Sequence, residues 1–214
     1  MRIINSCIED AKEYNKEIWL TFQDLSKAYD WIDLNMLKLA MKRIKIPELI
    51  IKLILNLFTD SKKAIIGNNR IFEKFTSIIG IDQEEVISPL LFTIYYDPLL
   101  TEINDLKYGY NMKHEWKNNV LKDEKESLQI TIRSQAYMDD VTWLTHDKKT
   151  LENILSIADE FNKINNIKVN YDKFVLATNT KNRESDGSIT LKVGIKQHKI
   201  TPVKTDESVR ILGV

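Results

Sequence analysis

Two adjacent aspartates, Asp139 and Asp140, stand between two apolar runs, and this arrangement constrains the chain more than any other feature. Leu128, Ile130, Ile132, Tyr137 and Met138 precede the pair, and Val141, Trp143 and Leu144 follow it, the pattern of two strands joined at a tight acidic turn. One aspartate suffices for the Asx-type hydrogen bond that a turn uses, so the second adds a like-charge repulsion the turn does not need. A divalent cation offsets that repulsion. Mg²⁺ takes one or two carboxylates together with waters and phosphate oxygens, and a further carboxylate from a neighbouring strand end, such as Asp24, lets two ions share the site. With 16 aspartates in 214 residues, one adjacent pair is expected about once by chance, so an ordinary exposed hairpin turn is the competing reading.

The remaining composition is that of one soluble domain with a real core: 43% of residues are hydrophobic, 29% are charged, and there are only 6 glycines and 4 prolines. The single cysteine, Cys7, excludes an internal disulfide framework and a multi-cysteine zinc site. The longest nearly apolar stretch, Pro47 to Phe58, is interrupted by Lys52 and is short of the roughly 20 residues a membrane span needs. Glu9 and Asp10 arrive too early for a secretory leader, so an intracellular address is expected. The 31 basic and 31 acidic side chains cancel, which suits a stand-alone nucleic-acid clamp poorly, because phosphate binding usually shows as a basic excess.

Apolar residues from Ile3 to Ile18 fall at helical spacing and lead to a strand over Ile18 to Phe22, with Asp24 at its end. Asp33 is placed to cap a helix carrying Leu34, Leu37, Ala40, Met41 and Ile44, and Pro47 to open a second, buried helix. A hairpin is expected over Lys63 to Ile79 with its turn at Gly67-Asn68-Asn69, and a helix from about Val86. Met112 to Ser127 is strongly polar and reads as a solvated excursion. Thr150 is a candidate cap for a helix carrying Leu151, Ile154, Leu155, Ala158 and Phe161, and the segment from Ile189 is strand-like. Helices alternating with hairpins give the α+β class, an antiparallel sheet covered by helices.

Several segments also carry a resemblance. Phe22 to Asp30, followed by Ile32-Asp33 and Met36-Leu37, resembles the first palm motif of reverse transcriptases, most nearly that of non-LTR (LINE-type) retrotransposons, and Ala136 to Asp140 resembles their Tyr-x-Asp-Asp motif. Gly80 to Gln83 with Ser88 to Phe92 is similar to the second motif, Ile167 to Lys173 to the fourth, and Arg210 to Val214 to the start of the primer grip. The order matches the family's across the whole chain.

The resemblance implies a polymerase palm over residues 1–214, with the fingers largely missing, no thumb, and an end at the primer-grip motif. It implies RNA-directed DNA synthesis, in which a primer 3′-hydroxyl attacks the α-phosphorus of a nucleotide with two Mg²⁺ ions, or Mn²⁺, at the site. Asp24, Asp139 and Asp140 match the metal-binding carboxylates, with the backbone carbonyl of Leu25 completing a ligand shell. Tyr29 matches the ring beneath the incoming sugar, Gln83 a residue that touches the incoming nucleotide, and Lys173 a lysine that protonates departing pyrophosphate. The implied partners are an RNA template, a DNA primer, dNTPs and other parts of a retroelement polyprotein; the implied address is nuclear.

The sequence departs from the family pattern at Glu84 and Asn166, both positions where glycine is usual. Glu84 adds bulk and negative charge beside the place of a triphosphate, whereas Asn166 tolerates left-handed backbone. A catalytically inactive remnant that binds nucleic acid or protein is therefore the alternative reading. A phosphohydrolase with Asp24 as nucleophile is a third; such enzymes commonly carry a second aspartate two residues on, where this chain has Ser26.

Overall fold

The computed structural model describes residues 2–64, 66–67, 70–76, 79–83, 85–117 and 125–204. In chain order the elements are α1 (Arg2–Glu13), β1 (Trp19–Ser26), α2 (Leu34–Arg43), α3 (Glu48–Phe58), the two-residue strands β2 (Lys62–Lys63), β3 (Ile66–Gly67), β4 (Arg70–Ile71) and β5 (Phe75–Thr76), α4 (Ser88–Asn104), β6 (Tyr110–Lys117), β7 (Lys125–Ile132), β8 (Ser134–Tyr137), β9 (Asp140–Thr145), α5 (Lys148–Ile164), β10 (Lys168–Thr178), β11 (Ile189–Val193) and β12 (Lys196–Ile200). They fall into two compact units. One comprises Met1–Asp24, Glu102–Glu160 and Asn170–Val214, the other Leu25–Thr101 and Phe161–Val169. Among the described residues, no helix is long and apolar enough to cross a membrane.

The first unit is organised by a four-stranded sheet in the order β10-β1-β9-β8, with β1 and β8 each antiparallel to β9. Alternation sends Leu20, Phe22 and Asp24 to one face of β1, and Thr21 and Gln23 to the other. On the Asp24 face, Ile4, Cys7 and Ala11 of α1 form a buried cluster with Ile18, Leu20, Tyr110 and Leu144, extended by Ile8, Phe22, Met112, Ile132 and Ala177. Asn15, at φ 49°, ends α1, and the Lys16 N–H donates to the Ala11 carbonyl at 2.9 Å. Buried Asp10 is satisfied by the Tyr110 hydroxyl at 2.6 Å and Lys16 Nζ at 2.9 Å. Burial, and then Asp10, push the Cys7 thiol up to about 11, so it stays protonated.

Two sequence expectations are corrected in this unit. Where it is described, the polar stretch from Met112 to Ser127 is no excursion: β6 pairs with β7 rung by rung from Tyr110↔Ile132 to Lys117↔Lys125, and residues 118–124 lie outside the described residues. Backbone pairing satisfies the peptide groups of these polar residues as well as it would those of apolar ones, and Met112 and Ile132 anchor the base of the hairpin in the core. Helix α5 begins at Lys148, and its cap is Asp147, whose carboxylate accepts from the Thr150 N–H at 2.8 Å and from the Thr150 hydroxyl. Thr150 is thus the third helical residue and the cap's partner.

In the second unit, Asp33 caps α2 as the sequence predicts, accepting from Asn35 N at 2.7 Å and Met36 N at 3.0 Å. Leu37, Ala40 and Met41 form the buried stripe of α2, which packs against α3. The expectation of a buried α3 fails: Ile51 and Phe58 are buried, while Leu49, Leu53 and Leu57 are 78, 62 and 58% exposed. Apolar residues all round a helix read as burial from sequence, yet here neighbours cover only one stripe. β3 and β4 pair as a hairpin through Ile66↔Ile71 and Gly67↔Arg70; Asn68, Asn69, Glu84 and the primer-grip-like Arg210 to Val214 lie outside the described residues. An aromatic series runs Tyr29, Phe92, Tyr96, Phe161, with centroid separations of 5.4, 5.6 and 5.6 Å.

Candidate active site

β8 and β9 close on the Tyr137↔Asp140 rung, leaving Met138 and Asp139 as a two-residue turn. Met138 carries the positive φ of 53° that such a turn requires, a conformation costly for a side-chain-bearing residue. On its other side β9 pairs with β1, and the ladder's final rung sets Asp24 opposite Asp140. Directly opposite residues point to one face of a sheet with Cα atoms roughly 4.5–5.5 Å apart. Asp24 and Asp140 therefore emerge together, with Asp139 at the adjoining bend.

β10, on the far side of β1, supplies the partners. Lys173 Nζ donates to Asp24 Oδ1 at 3.2 Å, and Asn170 Nδ2 donates to Asp24 Oδ2 at 3.2 Å. Asp24 is 20% exposed and Lys173 66% exposed, so the pair sits at an open rim. Burial, then the charges of Asp139 and Asp24, raise the Asp140 carboxyl above the usual carboxylate range, and Lys173 opposes the rise. Among the described residues, no group of three or more His, Cys, Asp or Glu side chains is gathered closely enough to hold a metal ion. In kind the donors suit a hard divalent cation, being carboxylate oxygens with a raised, mutually repelled member; in arrangement, both oxygens of Asp24 are engaged by Asn170 and Lys173.

Of the sequence-derived site residues, Asp24, Asp139, Asp140 and Lys173 come together within the first unit. Leu25, Tyr29 and Gln83 belong to the second. There Leu25 is buried, Tyr29 is a buried ring tilted against Phe92, and Gln83 is an exposed turn residue. The Tyr29 carbonyl accepts from the Ile81 N–H at 3.0 Å, which ties the loop after the first motif to the start of the second. Gly80 is required at this junction: its φ is 86°, and a Cβ would meet the Asp30 carbonyl oxygen at 2.7 Å. Asn166 adopts φ 55°, the left-handed backbone its substitution for glycine demands.

Sequence reasoning did not single out Asn170. Its signal was present, since it lies three residues before Lys173 in the same motif, but only the strand order brings it to Asp24. The His198 ring stacks on Tyr171 with a centroid separation of 4.2 Å and an interplanar angle of 8°.

The profile of the reverse transcriptase (RNA-dependent DNA polymerase) family matches residues 1–214. The chain belongs to that family. The non-LTR affinity of its motifs is borne out by a retrovirus-related Pol polyprotein from the type-1 retrotransposable element R2 of Popillia japonica, 30% identical over 89 residues, 42% of this chain and 15% of that protein. Among solved structures, telomerase from Candida tropicalis in complex with a TWJ fragment of telomeric RNA matches 97% of this reverse transcriptase chain and 33% of its own, with a TM-score of 0.59 and 15% identity. Apo telomerase from the same organism, truncated from its C-terminal domain, matches 92% of this chain and 39% of its own at a TM-score of 0.57 and 16% identity. The telomerase of Candida albicans gives 0.57, 11% identity, 95% and 34%. The fold is that of a polymerase palm, an antiparallel sheet with helices, and the chain spans well under half the length of each of these relatives.

Proposed function

We propose that this chain is the palm of an RNA-directed DNA polymerase that extends a DNA primer on an RNA template. The observation that carries the reading is the last β1–β9 rung, Asp24 opposite Asp140, beside the turn that holds Asp139. Asp24, Asp139 and Asp140, with the Leu25 carbonyl, would hold Mg²⁺ or Mn²⁺. Two such ions, when bound, stabilise the attacking and leaving oxygens of an in-line displacement. Asn170 orients the Asp24 carboxylate by donating to one of its oxygens, each of which keeps a further lone pair. Lys173 Nζ lies 3.2 Å from Asp24 and is the group that would pass a proton to a departing pyrophosphate. Tyr29 and Gln83 keep the sugar- and nucleotide-contacting roles implied by the motifs. The R2 and telomerase relatives support an RNA template as partner; the other parts of a retroelement polyprotein and a nuclear setting belong to the same proposal.

A second reading has an observation of its own. Asp24 spends both carboxylate oxygens on Lys173 and Asn170, as in a palm that keeps the fold as a non-catalytic remnant, and Glu84 points the same way. Primer extension on an RNA template with dNTPs and Mg²⁺ separates the two. The polymerase reading predicts incorporation that disappears in Asp139→Ala and rises in Glu84→Gly; a remnant incorporates nothing in any variant. Incorporation that survives Asp139→Ala removes the site.

A further inference from the structure

On the face of the sheet opposite the carboxylates, the indole Nε1 of Trp143 donates to Gln23 Oε1 at 2.7 Å. Both side chains are buried, Gln23 at 5% and Trp143 at 0% exposure, and both belong to the first unit. Trp143 stands opposite Thr21, so its bond to Gln23 is a diagonal brace across two rungs, ending one residue before Asp24.

A buried amide on a strand face shared with buried Trp19 and Thr21 needs an explanation, because an aliphatic residue at position 23 would bury as well without a further polar group to satisfy. The last rung supplies one. Like charges directly opposite each other destabilise a strand pair, and Asp24↔Asp140 is the terminal rung, where a ladder frays first. Resting on the polymerase reading above, we propose that Gln23 and Trp143 are positioning residues, a clamp on the rear of the sheet that holds the β1–β9 ladder closed at the rung where Asp24 and Asp140 must meet.

The clamp is specific in a way that hydrophobic packing is not. Opening the last rungs pulls the acceptor from a fully buried indole N–H, so splaying the carboxylates carries the additional cost of an orphaned donor. Packing alone has no such directional term. The pair is also matched: with Gln23→Leu the Trp143 N–H is left unpaired, whereas Gln23→Leu combined with Trp143→Phe removes the buried donor and its acceptor together.

That difference separates positioning from stability. Gln23→Leu should lower the unfolding temperature, and the double variant should regain most of it. Hydrogen exchange in peptides spanning Phe22 to Leu25 and Asp139 to Thr142 should run at least tenfold faster than in the parent in both variants, and Mn²⁺ affinity by calorimetry should fall at least threefold in both. Restoration of protection and Mn²⁺ affinity together with stability in the double variant would show that the pair only fills the core, and would overturn the proposal. So would unchanged exchange in Gln23→Leu. If the parent binds no Mn²⁺, the polymerase reading fails, while the exchange measurements still decide whether the clamp exists.

Discussion

Asp140 bears the electrostatic cost of the site. Its carboxyl is raised above the roughly 3.9 of an unperturbed aspartate by burial and by Asp139 and Asp24. Between the unfolded value and the raised folded one, the native chain holds a proton that the unfolded chain has released, so stability is lost as pH rises through that window. Asp140→Asn should therefore unfold at a higher temperature than the parent at pH 7 and at the same temperature at pH 3, as read by thermal denaturation. Lys173→Met leaves Asp24 with Asn170 as its partner; as a general acid, Lys173 should contribute about 10²-fold to the incorporation rate, measured in single-turnover extension with saturating dNTP. That Asp24, Asp139, Asp140 and Lys173 belong together was legible because each sits in a segment that resembles a motif of the family. Asn170, Gln23 and Trp143 were not. Their partners lie on other strands, 146 residues away for Asn170 and 120 for the Gln23–Trp143 pair, and no local pattern announces such contacts.

Among the elements, α2 shows the sequence at its most readable, since an aspartate before an apolar helical stripe fixes both cap and start. Replacing the cap, Asp33→Ala, should cost about 1 kcal/mol of stability in urea unfolding. Gly80 is more demanding: Gly80→Ala forces a Cβ against the Asp30 carbonyl at positive φ, and this should cost clearly more than the cap does, in the same measurement. The misread elements share a cause. β6–β7 is polar in composition but fully paired along its backbone, and α3 is apolar in composition but covered on one stripe only. Composition reports what a segment tolerates; the neighbours that decide its fate come from elsewhere in the chain.

For the whole molecule, the balance of 31 basic against 31 acidic residues argued against a nucleic-acid clamp, while the motifs argued for a polymerase. The two are compatible when the palm carries an acidic centre and phosphate binding falls to residues outside it; the chain spans 15–39% of the relatives it matches. The exposed Leu49, Leu53 and Leu57 row of α3 should make the chain self-associate as its concentration rises; Leu49→Glu with Leu53→Glu should shift sedimentation toward monomer with little change in unfolding temperature. The most direct measurement on the whole account is a Mn²⁺ titration of the isotope-labelled chain followed by paramagnetic broadening of its amide signals. Broadening should centre on Asp24, Asp139 and Asp140 and vanish in Asp139→Asn. Broadening centred elsewhere, or unaltered by that substitution, would contradict the assignment of these carboxylates as the metal site.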